Sequence, residues 1–111
     1  MGLSTHILDT AIGRPVANIL LTLSQLVDGT WHNIDSGRTN TDGRCKTLLC
    51  DHPLECTTYK IHFATADYFA TQRLISLYRY IEIIFTVADA SQHHHIPLLL
   101  TANGYTTYRG S

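Results

Sequence analysis

The sequence has little charge and no excess of either sign. Only 15% of its 111 residues are Asp, Glu, Lys or Arg, and the formal net charge is −1. A protein that binds nucleic acid or an anionic membrane surface usually carries a basic patch or stripe, which this composition does not supply. We therefore expect neither a nucleic-acid partner nor a membrane partner.

Long hydrophobic runs are missing as well. No stretch approaches the ~20 apolar residues of a transmembrane helix, and the first residues lack the order of a secretory signal. Hydrophobic residues nevertheless make up 44% of the chain, the proportion of a globular protein. At this length we expect one domain, over residues 1–111, with a single core.

Cysteine is scarce, and its spacing is not that of a metal site. Cys45, Cys50 and Cys56 form no Cys-x-x-Cys pair. Together with His52 they suggest a metal knuckle, but three reduced thiols are the simpler interpretation, because no second ligand pair follows at zinc-site spacing. Reduced thiols favour the cytoplasm. The peroxisome is the alternative, although the final Arg-Gly-Ser is not a Ser-Lys-Leu-type signal.

What the chain does have is alternation of apolar and polar residues in short segments bounded by turn-forming dipeptides. The pattern predicts strands over residues 5–8, 16–27, 31–38 (broken at Ser36-Gly37), 57–65, 80–88 and 93–100, and a returning strand over 105–108. Hairpin turns are expected at Asp28-Gly29 and Asn103-Gly104. One helix is predicted over residues 66–73, with Thr65 as its N-cap. Many short strands with few helical segments indicate an all-β sandwich.

Two of these strands have informative faces, because residues two apart in a strand share a side. In residues 16–27, the inward set is Ala17, Ile19, Leu21 and Leu23, and the outward set is Asn18, Thr22 and Ser24. In residues 93–100, the core set is His94, Ile96, Leu98 and Leu100. This leaves His93 and His95 on a face that folding does not require, beside Pro97, whose missing N–H suggests a sheet edge or an interface.

Three segments resemble the signature of the 5-hydroxyisourate hydrolases, the transthyretin-related enzymes of urate breakdown. They are Leu3-Ser-Thr-His-Ile-Leu-Asp-Thr10, Thr41-Asp-Gly-Arg44, and the last nineteen residues from His93 to Ser111. The resemblance implies a transthyretin-like (prealbumin-like) β-sandwich of two four-stranded sheets with one short helix, assembled as a homotetramer around a central channel. It also implies hydrolysis of 5-hydroxyisourate to 2-oxo-4-hydroxy-4-carboxy-5-ureidoimidazoline, without a cofactor or a metal.

The resemblance also selects the site residues. His6, Arg44, His95 and Ser111 match the catalytic positions, and Tyr108 joins His6 and Arg44 as a substrate-binding residue. Histidine suits proton transfer at neutral pH, and the planar guanidinium suits a developing oxyanion. The hydroxyl and terminal carboxylate of Ser111 are expected to contact water or substrate. The residues themselves leave open which histidine is the general base.

Two alternatives stand beside this hypothesis. His93 and His95 on one strand, with His6 as a third ligand, are the arrangement of a three-histidine catalytic zinc site. Such a metal would account for the histidines but not for Arg44, whose charge opposes a cation. The second alternative is a transthyretin-like carrier of a small ligand, but carriers of that branch lack the C-terminal Tyr-Arg-Gly-Ser.

Overall fold

Eight strands and one short helix make up the computed structural model of the chain, which describes residues 2–45, 48 and 53–110. The strands are β1 (Leu3–Asp9), β2 (Arg14–Pro15), β3 (Leu20–Val27), β4 (Thr30–Arg38), β5 (Thr58–Phe63), β6 (Ile81–Thr86), β7 (His94–Thr101) and β8 (Gly104–Thr107); the helix is α1 (Ala66–Thr71). They form two four-stranded sheets with the orders β2-β1-β7-β8 and β4-β3-β5-β6. The predicted sandwich of two four-stranded sheets is confirmed. The extent of the domain over residues 1–111 stays a prediction.

The core lies between the two sheets, where the inward residues of alternating strands meet. On β5, Tyr59, Ile61 and Phe63 are almost fully buried, as the alternation predicts. On β7 the core set is confirmed: His94, Ile96, Leu98 and Leu100 are all buried. Burial of whole side chains on both sheets removes large apolar areas from water, which is the main stabilising contribution to such a fold.

The strand predicted over residues 16–27 begins later than expected. Asn18 has a φ of +65°, in the left-handed region, which turns the chain away from an extended path. Its N–H donates to the Thr39 carbonyl at 2.8 Å, so the segment is tied to the end of β4. β3 therefore starts at Leu20, and the prediction that Ala17 faces the core is wrong, since Ala17 is exposed.

The predicted outward position of Ser24 is also wrong, because β4 contains a bulge opposite it. The β3–β4 register shifts between Leu23 and Ser24, so that one extra residue of β4 is accommodated there. Ser24 is buried, and its hydroxyl donates to Oδ1 of Asn33 at 2.7 Å, which satisfies the polar group. The predicted break at Ser36-Gly37 does not occur, since both residues remain paired with β3.

One of the two predicted hairpin turns is confirmed, and the other is displaced by one residue. Asp28 and Gly29 both have positive φ, as the tight turn between β3 and β4 requires. The turn between β7 and β8 lies one residue earlier than predicted, at Ala102–Asn103, and is closed by the pair of Thr101 with Gly104. The Thr101 side chain stabilises it by donating to the Gly104 carbonyl and accepting from the Asn103 N–H.

The helix is shorter than predicted, and its N-cap residue lacks the expected side-chain hydrogen bond. Thr65 is the N-cap residue but makes no side-chain capping bond, and its buried Oγ1 has no partner among the described residues. The helix ends at Thr71, and Arg73 adopts a φ of +58°, which stops a right-handed helix. No helix in the described part of the chain is long and apolar enough to cross a membrane.

β7 is an interior strand, so the expectation of a sheet edge at Pro97 is wrong. It lies between β1, to which it runs parallel, and β8. The ladder to β8 is interrupted at the proline: Leu98 pairs with Thr107, and pairing resumes in the same register only at His95 with Gly110. The interruption accommodates the missing N–H, and the Thr107 hydroxyl donates to the Pro97 carbonyl at 2.8 Å.

The loop after β4 is held against β1 by one glycine. Gly43 has a φ of +75°, and its carbonyl accepts from the Ile7 N–H at 2.8 Å. A Cβ at this position would lie only 2.4 Å from the Ile7 carbonyl oxygen. Any side chain there would push the loop away from the strand.

We predict that Gly43→Ala destabilises the fold far more than Gly29→Ala. Both glycines have positive φ, so each substitution carries a left-handed strain of about 1–2 kcal/mol. A Cβ on Gly29 would meet nothing within 4 Å, whereas on Gly43 it would overlap backbone and cost ~1–3 kcal/mol more. Urea unfolding of the two variants measures the difference. Equal losses of stability would show that the loop yields without cost.

Candidate active site

The parallel pairing of β1 with β7 brings two distant segments side by side. Ser4 is the Cα partner of His95, and His6 is the partner of Pro97, although Ser4 and His95 are 91 positions apart in the chain. Directly paired residues share a face of the sheet, so His6, Ser4 and His95 lie on the outer face, opposite the core set. All three are partly exposed, which makes them accessible to a ligand.

Arg44 reaches the same face through the loop that precedes it. The Arg44 backbone forms an isolated antiparallel bridge with His6. Asn40 holds this loop closed: its Oδ1 accepts from the Arg44 N–H at 3.1 Å, and its own N–H donates to the Arg44 carbonyl at 2.7 Å. Arg44 is exposed on this fixed backbone. Three of the residues selected by the sequence, His6, Arg44 and His95, are therefore brought together.

The surroundings of His95 favour its neutral form. Burial lowers the pKa of His95, and the charges of Arg44, His6 and His93 lower it further; a hydrogen bond to the Ser4 backbone acts in the opposite direction but does not prevail. An imidazole whose pKa lies below its usual value of about 6.5 is unprotonated at neutral pH. Its second nitrogen can then accept a proton from water, as a general base must.

Ser4 is a site residue that the sequence analysis did not single out. Its hydroxyl oxygen lies 2.7 Å from Nδ1 of His95 and 2.8 Å from Nε2 of His93. Ser4 stands in the first of the three signature segments, but a serine in a strand has no pattern that indicates a histidine partner. Only the parallel register of β1 and β7 places it there.

The C-terminal segment closes against His95. The Gly110 N–H donates to the His95 carbonyl at 2.8 Å, and a Cβ on Gly110 would lie 2.4 Å from Cδ2 of the His95 ring. Only glycine allows this approach. The next residue, Ser111, lies outside the described residues, so its predicted place in the site stays a prediction.

Tyr108 is not placed beside His6 or His95 by any described contact. Its side chain is 54% exposed, and the residue lines a cavity of about 270 Å³ along the open edge between β6 and β8. The β7 residues of that cavity are His94 and Ile96, which belong to the core face, and not His95. The predicted contact of Tyr108 with substrate therefore stays a prediction.

His94 and His62 have hydrogen-bond partners outside the candidate site. Nδ1 of His94 is bonded to the Gln92 carbonyl, and His62 pairs with Glu82 at 2.9 Å. Cys45 and Cys56 are not in disulfides, while Cys50 and His52 lie outside the described residues. Within those described, no three side chains of His, Cys, Asp or Glu are close enough to hold a metal ion, which includes the His6, His93 and His95 set of the zinc alternative.

Comparison with known proteins identifies the family. The model of the HIUase/Transthyretin family matches residues 3–110. The chain belongs to this family. A mouse 5-hydroxyisourate hydrolase is 42% identical over 111 residues, covering 98% of this chain and 94% of the mouse protein.

Two solved structures from the HIUase/Transthyretin family share the fold. The 5-hydroxyisourate hydrolase of Klebsiella pneumoniae is 33% identical, with a TM-score of 0.84 over 98% of this chain and 92% of its own. Sea bream transthyretin in complex with thyroxine is 28% identical, with a TM-score of 0.92 over 99% and 95%. The family therefore includes members with different named roles on one sandwich.

We predict that the pKa of His95, measured by NMR titration of the imidazole signals, lies below the usual value of about 6.5. Removing one of the charges that lower it, with Arg44→Gln, should raise the pKa, but not to the usual value, because burial remains. Arg109→Gln is the matched control, since Arg109 is bonded to Gln92 and is not among the charges that act on His95. An unchanged His95 pKa in Arg44→Gln would contradict the proximity of the two groups.

Proposed function

We propose that this protein hydrolyses 5-hydroxyisourate, the reaction named for its mouse and Klebsiella relatives. The observation that carries the proposal is the convergence of His6, Arg44 and His95 from three separate segments onto one face. A neutral imidazole, a second imidazole and a guanidinium are a suitable set for adding water to a ring carbonyl. A carrier has no need of a neutral base held beside an arginine.

The reaction adds water to a ring carbonyl of the substrate and opens the six-membered ring. A bond forms between the water oxygen and the carbonyl carbon, and the ring C–N bond breaks. His95 takes a proton from the water, and that proton is returned to the leaving nitrogen. Arg44 binds the carbonyl oxygen and stabilises the negative charge that develops there. His6 lies on β1, and its backbone pairs with that of Arg44. In this scheme it positions the water or the substrate.

Two further residues complete the proposed site. Ser111 follows Gly110, whose N–H donates to the His95 carbonyl, and we assign the Ser111 hydroxyl to contact with water or substrate. Tyr108 binds the planar substrate from the side of β8. Both assignments are supported by their match to the family's C-terminal segment.

We also infer a homotetramer with the site face turned toward a channel between subunits. β6 and β8 are the last strands of their sheets and expose unpaired backbone along one side of the sandwich. Such edges are commonly covered by a second copy. On β6, Ile84 projects outward and is 59% exposed, in line with a covered position in an assembly. The thiol of Cys56, which is exposed and forms no disulfide, supports a reducing compartment such as the cytoplasm.

We predict that the purified protein accelerates the decay of freshly generated 5-hydroxyisourate in an ultraviolet assay. His95→Asn and Arg44→Lys should each lower kcat/KM by roughly 10²-fold or more, because each removes a positioned proton-transfer or oxyanion group. His32→Asn and Arg79→Lys are the matched controls, as both residues are exposed and lie outside the site. A folded wild type that leaves the decay rate unchanged would refute the proposed function.

The same assay separates the metal-free hydrolase from the zinc alternative. Activity should be unaffected by prolonged treatment with a strong chelator. Loss of activity on chelation, restored by added zinc, would instead assign His6, His93 and His95 to a metal. The metal content of the same samples must be measured. Otherwise, activity that remains because metal was incompletely removed would be mistaken for metal-independent activity.

For the assembly, we predict a mass of four chains in light scattering at micromolar concentration. The physical reason is that pairing of the edge strands satisfies backbone groups that a single chain leaves open. Dilution series with parallel activity measurements connect assembly to turnover. A monomer that retains full turnover would show that the proposed channel is not required.

A further inference from the structure

Ser4 lies between His95 and His93. It has no role in the reaction proposed above. It is half-buried on β1, directly beside His95 in the parallel ladder. Its hydroxyl contacts Nδ1 of His95 at 2.7 Å and Nε2 of His93 at 2.8 Å. His93 is exposed just before β7 begins, so the three side chains form a short chain from solvent to the proposed base.

The number of protons limits how this chain can be ordered. A serine hydroxyl has one hydrogen and can donate to only one of the two rings. If it donates to His95, Nδ1 of that ring is unprotonated and the neutral ring carries its proton on Nε2. If it donates to His93, it can accept from Nδ1–H of His95, and Nε2 of His95 then keeps its lone pair. Only the second order leaves His95 able to act as a base through Nε2.

The Ser4 side of the His95 ring favours the second order, and the Gly110 side fixes the orientation of the ring. Burial and the charges around His95 lower its pKa, while a hydrogen bond to the Ser4 backbone opposes them. A backbone group that favours a protonated ring is an acceptor. Nδ1 is the ring nitrogen that faces Ser4, so an acceptor on that side favours a proton on Nδ1. The opposite edge of the ring is closed by Gly110, where a Cβ would overlap Cδ2. The ring is therefore held on both edges, with Nδ1 toward Ser4.

We propose that Ser4 is a positioning residue that holds neutral His95 in the tautomer protonated on Nδ1, with His93 orienting the Ser4 hydroxyl. In some enzymes a group accepts a hydrogen bond from one ring nitrogen of a catalytic histidine, so that the other ring nitrogen can take a proton from the substrate or water. Ser4 would have the same role. The inference rests on the proposed function for its kinetic consequence. Its structural consequence, the tautomer of His95, can be measured without any substrate.

The first measurement is the tautomer itself. Long-range ¹H–¹⁵N correlation spectra of the wild type at a pH above the His95 titration should show Nδ1 protonated and Nε2 bare. Ser4→Ala removes the hydroxyl acceptor and keeps the backbone one, so the population of the Nε2-protonated form should rise without becoming complete. In Ser4→Thr, which keeps the hydroxyl, it should not rise. A wild type with the proton on Nε2 of His95 overturns the proposal, whatever the protein's activity.

The second measurement is kinetic. Ser4→Ala should lower kcat by roughly 10–10²-fold with little change in KM, as when the group that orients a catalytic ligand or base is lost. Ser4→Thr should retain most of the activity, and His93→Phe should show a smaller loss than Ser4→Ala. Ser36→Ala, an exposed serine on β4, is the matched control.

The outcomes separate the two proposals. A wild type without hydrolase activity refutes the proposed function, while the spectra still decide the tautomer. An active wild type with normal kcat in Ser4→Ala refutes the role of Ser4 and leaves the function standing. An equal loss in Ser4→Ala and Ser4→Thr, with unchanged melting temperatures, also refutes it, because the hydroxyl is then not the group that matters.

Discussion

The parallel contact between β1 and β7 determines where every histidine of the candidate site stands. Its register sets Ser4 beside His95 and His6 beside Pro97. Because the side-chain period of a strand is two, a slip of β1 by one residue would send His6 into the core and bring Ile7 to the surface, and a slip of β7 would do the same to His95 and Ile96. The burial of Ile7 and Ile96 thus stabilises the register on which the site depends. Packing and chemistry are coupled through one strand pair.

Pairing β1 with β7 costs much conformational entropy, because almost the whole sequence lies in the loop that the pairing closes. Parallel neighbours require a long connection, and here the connection includes the entire second sheet. The site therefore depends on a contact between segments near the two ends of the described chain. The Gly43 loop adds a further dependence, because the bond between its carbonyl and Ile7 is what brings Arg44 to His6. Site geometry is therefore a property of the complete fold.

Features set by neighbouring residues in the sequence were predicted correctly more often than features set by distant residues. β5, β6 and the faces of β7 were predictable because burial of one side imposes alternation that a short window reveals. The left-handed Asn18 and the bulge opposite Ser24 were not, because each is accompanied by a hydrogen bond to a residue at or beyond the neighbouring strand β4. The turn at Ala102–Asn103 differs by one residue from the predicted Asn-Gly turn, because the Thr101 side chain bonds to Asn103 and Gly104. His6, Arg44 and His95 were named through resemblance. Ser4 was missed, since its partners are known only once β1 and β7 are paired.

The sandwich alone does not select hydrolysis, because a thyroxine-bound transthyretin shares it with the hydrolases. The function has to be argued from the side chains on one outer face of this chain. An arginine beside two histidines would ordinarily be unfavourable, since each charge lowers the affinity of its neighbours for protons. In the proposed reaction that effect is useful. Together with burial it lowers the pKa of His95 and so favours the neutral form that can deprotonate water. It also places positive charge where an oxyanion would develop. The same repulsion that a purely structural face would avoid is what makes this face suited to catalysis.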